Sequence, residues 1–497
     1  MVRVNWRVSL GYTGVVLRWM AAALLLPFAL AVASGEDVVA FGATIALSLL
    51  GSVALERYGR QGDIDSREAI LLVSLVWTTV GIVGALPYVL AGTGTVATPV
   101  NALFESVSGF TTTGATVMAE VSTDTHSRAI MMWRQESQWL GGMGIVVLAV
   151  ALFPNLSVGG VQLVEREAPG PRMRKLTPKL AETARVLWKV YVLVTATEIA
   201  LLYALHLGGF APDMSLYLAV AHGFTTMATG GFSPAARSIA AFSTAVQWVI
   251  VPFMAAAGVN FALFSRAYQG DLDAFRDDPE FRTYLGVLVA VAVVLVGVLF
   301  ANGDYAVGAA VRHGVFQAVS IVTTTGYASV DFNAWSETAQ TLLVLAMFLG
   351  GSAGSTGSAI KIVRWLIVGK SIVRTLFTTA HPSALRSIRI GETVVKSSTV
   401  RDVHTFTLLY VVLFFAGSVL VLANGTTVGH ALTVQESMSA AAATLGNVGP
   451  GVDFVGPMRN YLHFPTGTKL LLAAFMILGR LEILTILVLF TRGFWRG

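Results

Sequence analysis

Thr112-Thr113-Gly114-Ala115-Thr116 has three counterparts later in the chain: Ala228-Thr229-Gly230-Gly231-Phe232, Thr324-Thr325-Gly326-Tyr327-Ala328 and Thr444-Leu445-Gly446-Asn447-Val448. Each follows an amphipathic stretch too short to cross a bilayer and lies between two apolar stretches long enough to do so. The central glycines Gly114, Gly230, Gly326 and Gly446 are spaced by 116, 96 and 120 residues. A unit of that length, occurring four times, predicts four quasi-equivalent units around one axis.

Composition sets the setting for these loops. Of 497 residues, 55% are hydrophobic and 12% charged, against about 25% charged in soluble domains. The pattern predicts an all-α polytopic membrane protein. Two apolar runs open the chain, near 14–33 and 38–55. Ala31-Val32-Ala33 resembles a signal-peptidase site, but the run before it is too long for a signal core and reads as a membrane helix. Four units follow at about 68–153, 186–268, 281–368 and 402–492. Each reads as a spanning helix, a half-length re-entrant helix, a filter-like loop and a second spanning helix, as in potassium channels. Ten full spans and four re-entrant helices result. The chain divides into two N-terminal helices (1–60) and pore repeats at 61–160, 161–270, 271–375 and 376–497.

Lys/Arg asymmetry orients the chain. Arg57, Arg60 and Arg67, then Arg166, Arg172, Arg174, Lys175, Lys179 and Arg185, then Lys361 through Arg401 all fall on one side, which is therefore cytoplasmic. Glu36, Asp37, Glu120, Asp124, Asp213, Asp304, Asp331 and Asp453 fall on the other. Both termini are then cytoplasmic, and the loops enter from outside. The cytoplasmic connections are too short for a nucleotide-binding domain. The net charge of +5 reports these connections, not nucleic acid.

A dehydrated cation needs oxygens in place of water, and backbone carbonyls supply them when several strands converge. Irregular backbone is tolerated at membrane depth where it is buried or lines a water-filled cavity. Glycine permits the φ values that point successive carbonyls one way, and each half-helix aims its negative C-terminal end at the cavity. The expected filter is Thr112, Thr113 and Gly114; Ala228, Thr229 and Gly230; Thr324, Thr325 and Gly326; and Thr444, Leu445 and Gly446. An alkali cation is the expected occupant, held by backbone carbonyls. The four copies differ, so the ring is expected to be only pseudo-fourfold. An alternative reading of any one segment is a small-residue packing face.

Several segments resemble the bacterial and archaeal Trk/Ktr potassium-transporter membrane subunits (TrkH-like). They are Ser108–Ala115, Trp139–Ile145, Thr229–Ser233, Gly258–Phe261, Gly350–Gly357, Asn447–Gly451 and Leu478–Glu482. The two N-terminal helices match the TrkH branch, and Gly446 the Ktr pattern. The resemblance implies potassium uptake across a prokaryotic cell membrane by a homodimer with a cytosolic TrkA-like nucleotide-binding subunit.

Gly350-Gly351-Ser352-Ala353-Gly354-Ser355-Thr356-Gly357 lies inside the second span of the third unit. Each glycine costs a helix about 1 kcal/mol relative to alanine, so this span should break, forming a flap below the filter. Close helix packing is the alternative. Arg480, deep in the last span, either pairs with a carboxylate such as Glu482 or, as the resemblance implies, stands against the flap as a positive barrier. Lys361 and Arg364 read as residues snorkelling to headgroups, Asn260 as a helix–helix hydrogen bond, and Glu105 as a cation-concentrating carboxylate or a pore-helix hydrogen bond.

No Walker sequence, no His-Glu-x-x-His and no cysteine is present, which argues against an enzyme. No cofactor is expected. A symporter coupling sodium or protons to potassium is the main rival, with Glu198 and Glu482 as its carboxylates. A scaffold that only recruits cytosolic proteins is the third reading.

Overall fold

A computed structural model describes residues 4–60, 62–152, 178–303, 305–424 and 431–496. The predicted basic residues Arg166, Arg172, Arg174 and Lys175, the 160/161 boundary and Asp304 lie outside the described residues. α1 (Trp6–Ala23) continues into α2 (Leu25–Ser34), and α3 (Val38–Tyr58) returns antiparallel to it. The pair meets at bare backbone: a β-carbon on Gly59 would come within 2.4 Å of Gly11.

Four similar repeats follow. The first comprises α4 (Ser66–Gly84), α5 (Leu86–Ala91), α6 (Pro99–Phe110) and α7 (Arg128–Leu152). The second has α8 (Pro178–Leu207), α9 (Leu216–Met227), α10 (Thr244–Ala257) and α11 (Phe261–Tyr268). Short α12 (Asp273–Asp277) leads to the third: α13 (Pro279–Ala301), α14 (Val307–Val322), α15 (Glu337–Ala346) and α16 (Ile362–Ala380). A two-residue hairpin, Arg389–Ile390 against Thr393–Val394, precedes the fourth. That repeat holds α17 (Ser397–Ala423), α18 (Val434–Leu445), α19 (Thr466–Arg480) and α20 (Leu484–Leu487).

The half-length helices are α6, α9, α14 and α18. Three have 12 residues, about 18 Å of rise, well short of the ~30 Å hydrocarbon core. Their starts are fixed locally. Pro99 opens α6, Ser215 Oγ accepts from Leu218 N at 3.4 Å, and Thr433 and Glu436 form a capping box. In α18, Ser439 to Leu445 are all buried, because Ala and Ser side chains let neighbouring helices close on every face. Outer faces carry exposed apolar residues such as Val39, Leu50, Val293, Val412 and Val419, as a lipid-facing surface requires.

The spans are less continuous than the ten expected. Among the described residues, six helices are long and apolar enough to cross a membrane, or eight if two bent pairs count. The second spans of repeats two, three and four all break. α10 and α11 meet at 95°, α19 and the segment from Leu484 to Phe490 at 108°, and residues 347–361 separate α15 from α16. The glycine content of 350–357 predicts the break in repeat three, the second of these. The first comes from Asn260, which starts a new helix by accepting from Ala262 N (2.9 Å). The last comes from Glu482 and Ile483, both at positive φ.

Candidate ion-binding site

Every half-length helix ends the same way. After α6, Thr112 takes a left-handed conformation (φ 53°) while the N–H of Thr113 donates to Ser108 O at 2.9 Å. Thr229 (φ 51°), Thr324 (φ 61°) and Asn447 (φ 53°) repeat the turn. The following N–H groups donate to Thr225, Ser320 and Ala443, each at 2.8 Å. This Schellman closure ordinarily uses glycine. Three of the four residues are instead β-branched, for which positive φ is an outlier. Such strain, about 1–3 kcal/mol each, persists where surroundings over-determine the backbone. Two residues on, each loop carries a glycine at positive φ: Gly114 (82°), Gly231 (74°), Gly326 (77°) and Gly449 (97°).

These glycines close a ring. A β-carbon on Gly114 would lie 2.3 Å from Gly230 O, on Gly231 2.0 Å from Thr325 O, on Gly326 1.9 Å from Val448 O, and on Gly449 2.4 Å from Thr113 O. Each loop thus presses its glycine against the carbonyl of the next. The repeats run 1-2-3-4 around an axis, with 1 and 3 diagonal. The equivalent carbonyls belong to Thr113, Gly230, Thr325 and Val448.

The ring revises two expected registers. In the second loop Gly231 is the ring glycine, Gly230 takes the place of Thr113 and Thr325, and Ala228 is the C-cap of α9. In the fourth, Thr444 and Leu445 belong to α18, Gly446 is its right-handed C-cap (φ −82°), and Gly449 stands in the ring. Asn447 is the cause. Its short polar side chain tolerates positive φ, so it does there what threonine does elsewhere and breaks the Thr-Gly match.

Braces within and between repeats hold the loops. Glu105 of α6 is fully buried and pairs with Arg134 Nε of α7 at 2.7 Å. Its carboxylate also accepts from Thr116 Oγ1 (2.9 Å) and Val117 N (2.9 Å). It is a scaffold for the first loop, so of its two expected roles the hydrogen-bonding one matches the contacts. Tyr327 of the third loop hydrogen bonds with Thr225 of α9. Tyr461 donates to Gly449 O (2.8 Å), and its N–H reaches Thr116 O (2.8 Å). Among the described residues no group of three or more His, Cys, Asp or Glu could hold a metal ion.

The TrkH family model, described as a cation transport protein, matches residues 37–494. The chain belongs to that family. It is 38% identical over 462 residues to the Trk system potassium uptake protein TrkH of Halomonas elongata, covering 92% of each chain. It is also 38% identical to the Escherichia coli K12 protein of the same name, over 88% of this chain and 87% of that one. The crystal structure of the potassium transporter TrkH from Vibrio parahaemolyticus superposes with a TM-score of 0.88 at 32% identity, covering 99% of this chain and 100% of that one. These relatives are named as transport proteins, not enzymes.

In this family member the broken second span of repeat 3 lies against the C-terminal ends of the half-length helices α9 and α14. Thr356 Oγ1 donates to Met227 O and Ala257 O, both at 3.0 Å, and Ser358 N donates to Thr324 Oγ1 at 2.8 Å. Arg480 is buried and donates to Thr356 O (2.7 Å), Ser358 Oγ (2.9 Å) and Gly141 O (3.1 Å). Its guanidinium therefore joins repeats 1 and 3, which are diagonal across the axis. Arg480 does not pair with Glu482; that carboxylate takes Arg364, whose guanidinium lies 3.8 Å from the Phe406 ring. Lys361 turns back to Gly357 O. Neither cation snorkels outward. Asn260 caps a helix instead of bridging two, and Phe261 N donates to Gly354 O at 3.1 Å.

The sequence reading passed over Gln138, Arg134 and Glu280. Glu280 Oε1 accepts from Ala353 N (2.7 Å) and Val363 N (3.1 Å), so it ties both ends of the broken segment to α13. All three are polar residues in apolar helices, the signal that flags function in a membrane.

Proposed function

We propose that this chain takes potassium into the cell through the four-loop ring, with Thr113, Gly230, Thr325 and Val448 carbonyls replacing the ion's hydration shell. The carrying observation is the closed cycle of glycine-to-carbonyl contacts, which brings four main-chain oxygens around one axis. The relatives' names as potassium uptake proteins support the choice of ion.

Residues 350–357 and Arg480 are the gate in this reading. The segment sits against the inner ends of the pore helices, and a cation bridging diagonal repeats repels a passing cation. The chain works as a homodimer in a prokaryotic cell membrane, with both termini cytoplasmic and the ring entered from outside. A cytosolic TrkA-like nucleotide-binding subunit controls the gate.

Rubidium uptake into proteoliposomes, with and without added cytosolic subunit and with competing sodium, tests this. Rubidium flux that resists excess sodium and rises with the subunit is expected. Equal rubidium and sodium fluxes refute potassium preference, and a flux requiring a sodium or proton gradient replaces the channel reading with symport.

A further inference from the structure

We infer that Gln138 is a specificity-determining positioning residue: it fixes the Gly230 carbonyl in the ring and moderates its pull on the ion. This rests on the ring being the ion site. Gln138 lies on α7 of repeat 1 and is fully buried. Its Nε2 donates to Gly230 O at 2.7 Å, and its Oε1 accepts from Phe232 N at 3.1 Å. One amide thus brackets Gly231 on both sides. One helical turn away, Arg134 donates to Ser233 O at 3.0 Å and lies 3.5 Å from the Phe232 ring. The Arg134/Gln138 face of α7 therefore holds residues 230–233 across the repeat boundary.

The second loop needs this hold more than its neighbours. At the place of Gly230 they have Thr113, Thr325 and Val448, whose side chains narrow the φ/ψ range open to the main chain. Thr113 and Thr325 are further tied to Thr111 (2.8 Å) and Thr323 (2.7 Å). Glycine offers neither restraint. Nor is there room for a side chain while Gln138 keeps its place: a β-carbon on Gly230 would meet Gln138 Cδ at 2.4 Å. Gln138 fills the space that residue 230 leaves empty, and supplies from another helix the restraint that residue lacks. Among the described residues, the Thr113, Thr325 and Val448 carbonyls accept no hydrogen bond. A carbonyl oxygen has two lone pairs, so the amide engages one and weakens the field of that ligand. Field strength and ligand number are the terms on which potassium–sodium discrimination rests.

The test uses full-length protein in proteoliposomes, reading the rubidium-to-sodium flux ratio, total flux and melting temperature. Gln138→Ala should lower the ratio about five- to tenfold, the size of one hydrogen bond lost, while sodium flux is kept or raised. Gln138→Glu, which sets an acceptor against the carbonyl, should lower it further. Gly230→Thr alone should displace the Gln138 amide and lower the ratio, and Gly230→Thr with Gln138→Ala, where the threonine has room, should restore part of it. Loss of both fluxes in proportion, with a lower melting temperature and no rescue, overturns the inference while leaving the ring reading intact. If Gly449→Ala leaves rubidium uptake at the wild-type level, the ring reading itself fails.

Discussion

Gly449→Ala and Gly446→Ala separate the ring in the structure from the one the Thr-Gly pattern suggests. At Gly449, φ is 97°, where an L side chain costs about 1–2 kcal/mol. The added carbon would also lie 2.4 Å from Thr113 O, against 3.4 Å for ordinary contact, so two loops must part by about 1 Å. That displacement falls on a carbonyl of the ring. At Gly446 φ is −82°, and the nearest atoms are 2.9 Å (Ala442 O) and 3.1 Å (Met347 O) away. There an alanine needs the Ala442 carbonyl to give by about half an ångström, half the displacement at Gly449, and no change of backbone basin. Rubidium uptake in proteoliposomes should therefore fall about tenfold or more for Gly449→Ala, the kinetic equivalent of about 1.4 kcal/mol. Gly446→Ala should stay within about threefold of wild type, less than 1 kcal/mol on the same scale. Circular dichroism and melting temperature would show both variants folded. Wild-type uptake by Gly449→Ala, with loss in Gly446→Ala, would refute the ring and restore the sequence register.

Two further predictions follow from the buried cations. Arg480→Ala removes the charge joining repeats 1 and 3, so rubidium leak without the cytosolic subunit should rise; unchanged or lower leak in a folded variant would contradict the barrier role. Glu105→Ala leaves Arg134 buried without its carboxylate, a change that costs about 3–5 kcal/mol. The melting temperature in detergent and the yield of folded protein should both drop sharply, and a melting curve like the wild type's would show that the pair is not structural.

The repeat plan was legible because lipid enforces it: apolar length and charge asymmetry follow from the bilayer, and all four half-helices were visible as short amphipathic stretches. The break at 350–357 was legible too, since its four glycines speak directly to helix stability. Registers were harder to read. Gly231 and Gly449 are distinguished from Gly230 and Gly446 by φ, and φ is set by where the Schellman turn closes, which depends on the last helical residue. Cross-repeat partners were hardest. Nothing near Arg480 in sequence says that it reaches Gly141 and Thr356, and Glu482 two residues on is a plausible but wrong partner. Such contacts are fixed by four-repeat closure, a long-range property that local patterns do not carry.

The same closure ties the broken segment of repeat 3 to the ring through a hydrogen bond from Ser358 N to Thr324 Oγ1 at 2.8 Å. Thr324 is the left-handed residue that ends α14, immediately before the ring residue Thr325. Its hydroxyl is thus anchored to the segment proposed as the gate. Thr324→Val keeps the shape and the β-branching but removes the acceptor. Ser358 N–H is then left buried without a partner, which costs the closed arrangement about 1–3 kcal/mol. The open arrangement, in which that N–H meets water, does not bear the cost. The closed-to-open ratio should shift by about five- to a hundredfold on that scale, and rubidium leak without the cytosolic subunit should rise with it. The rubidium-to-sodium ratio should hold, since the φ of residue 324 and the Thr325 carbonyl are kept. A leak equal to wild type would mean that the segment does not separate from Thr324 when the pore opens. A raised leak with a collapsed ratio would mean that the bond stiffens the ring as well as latching the gate.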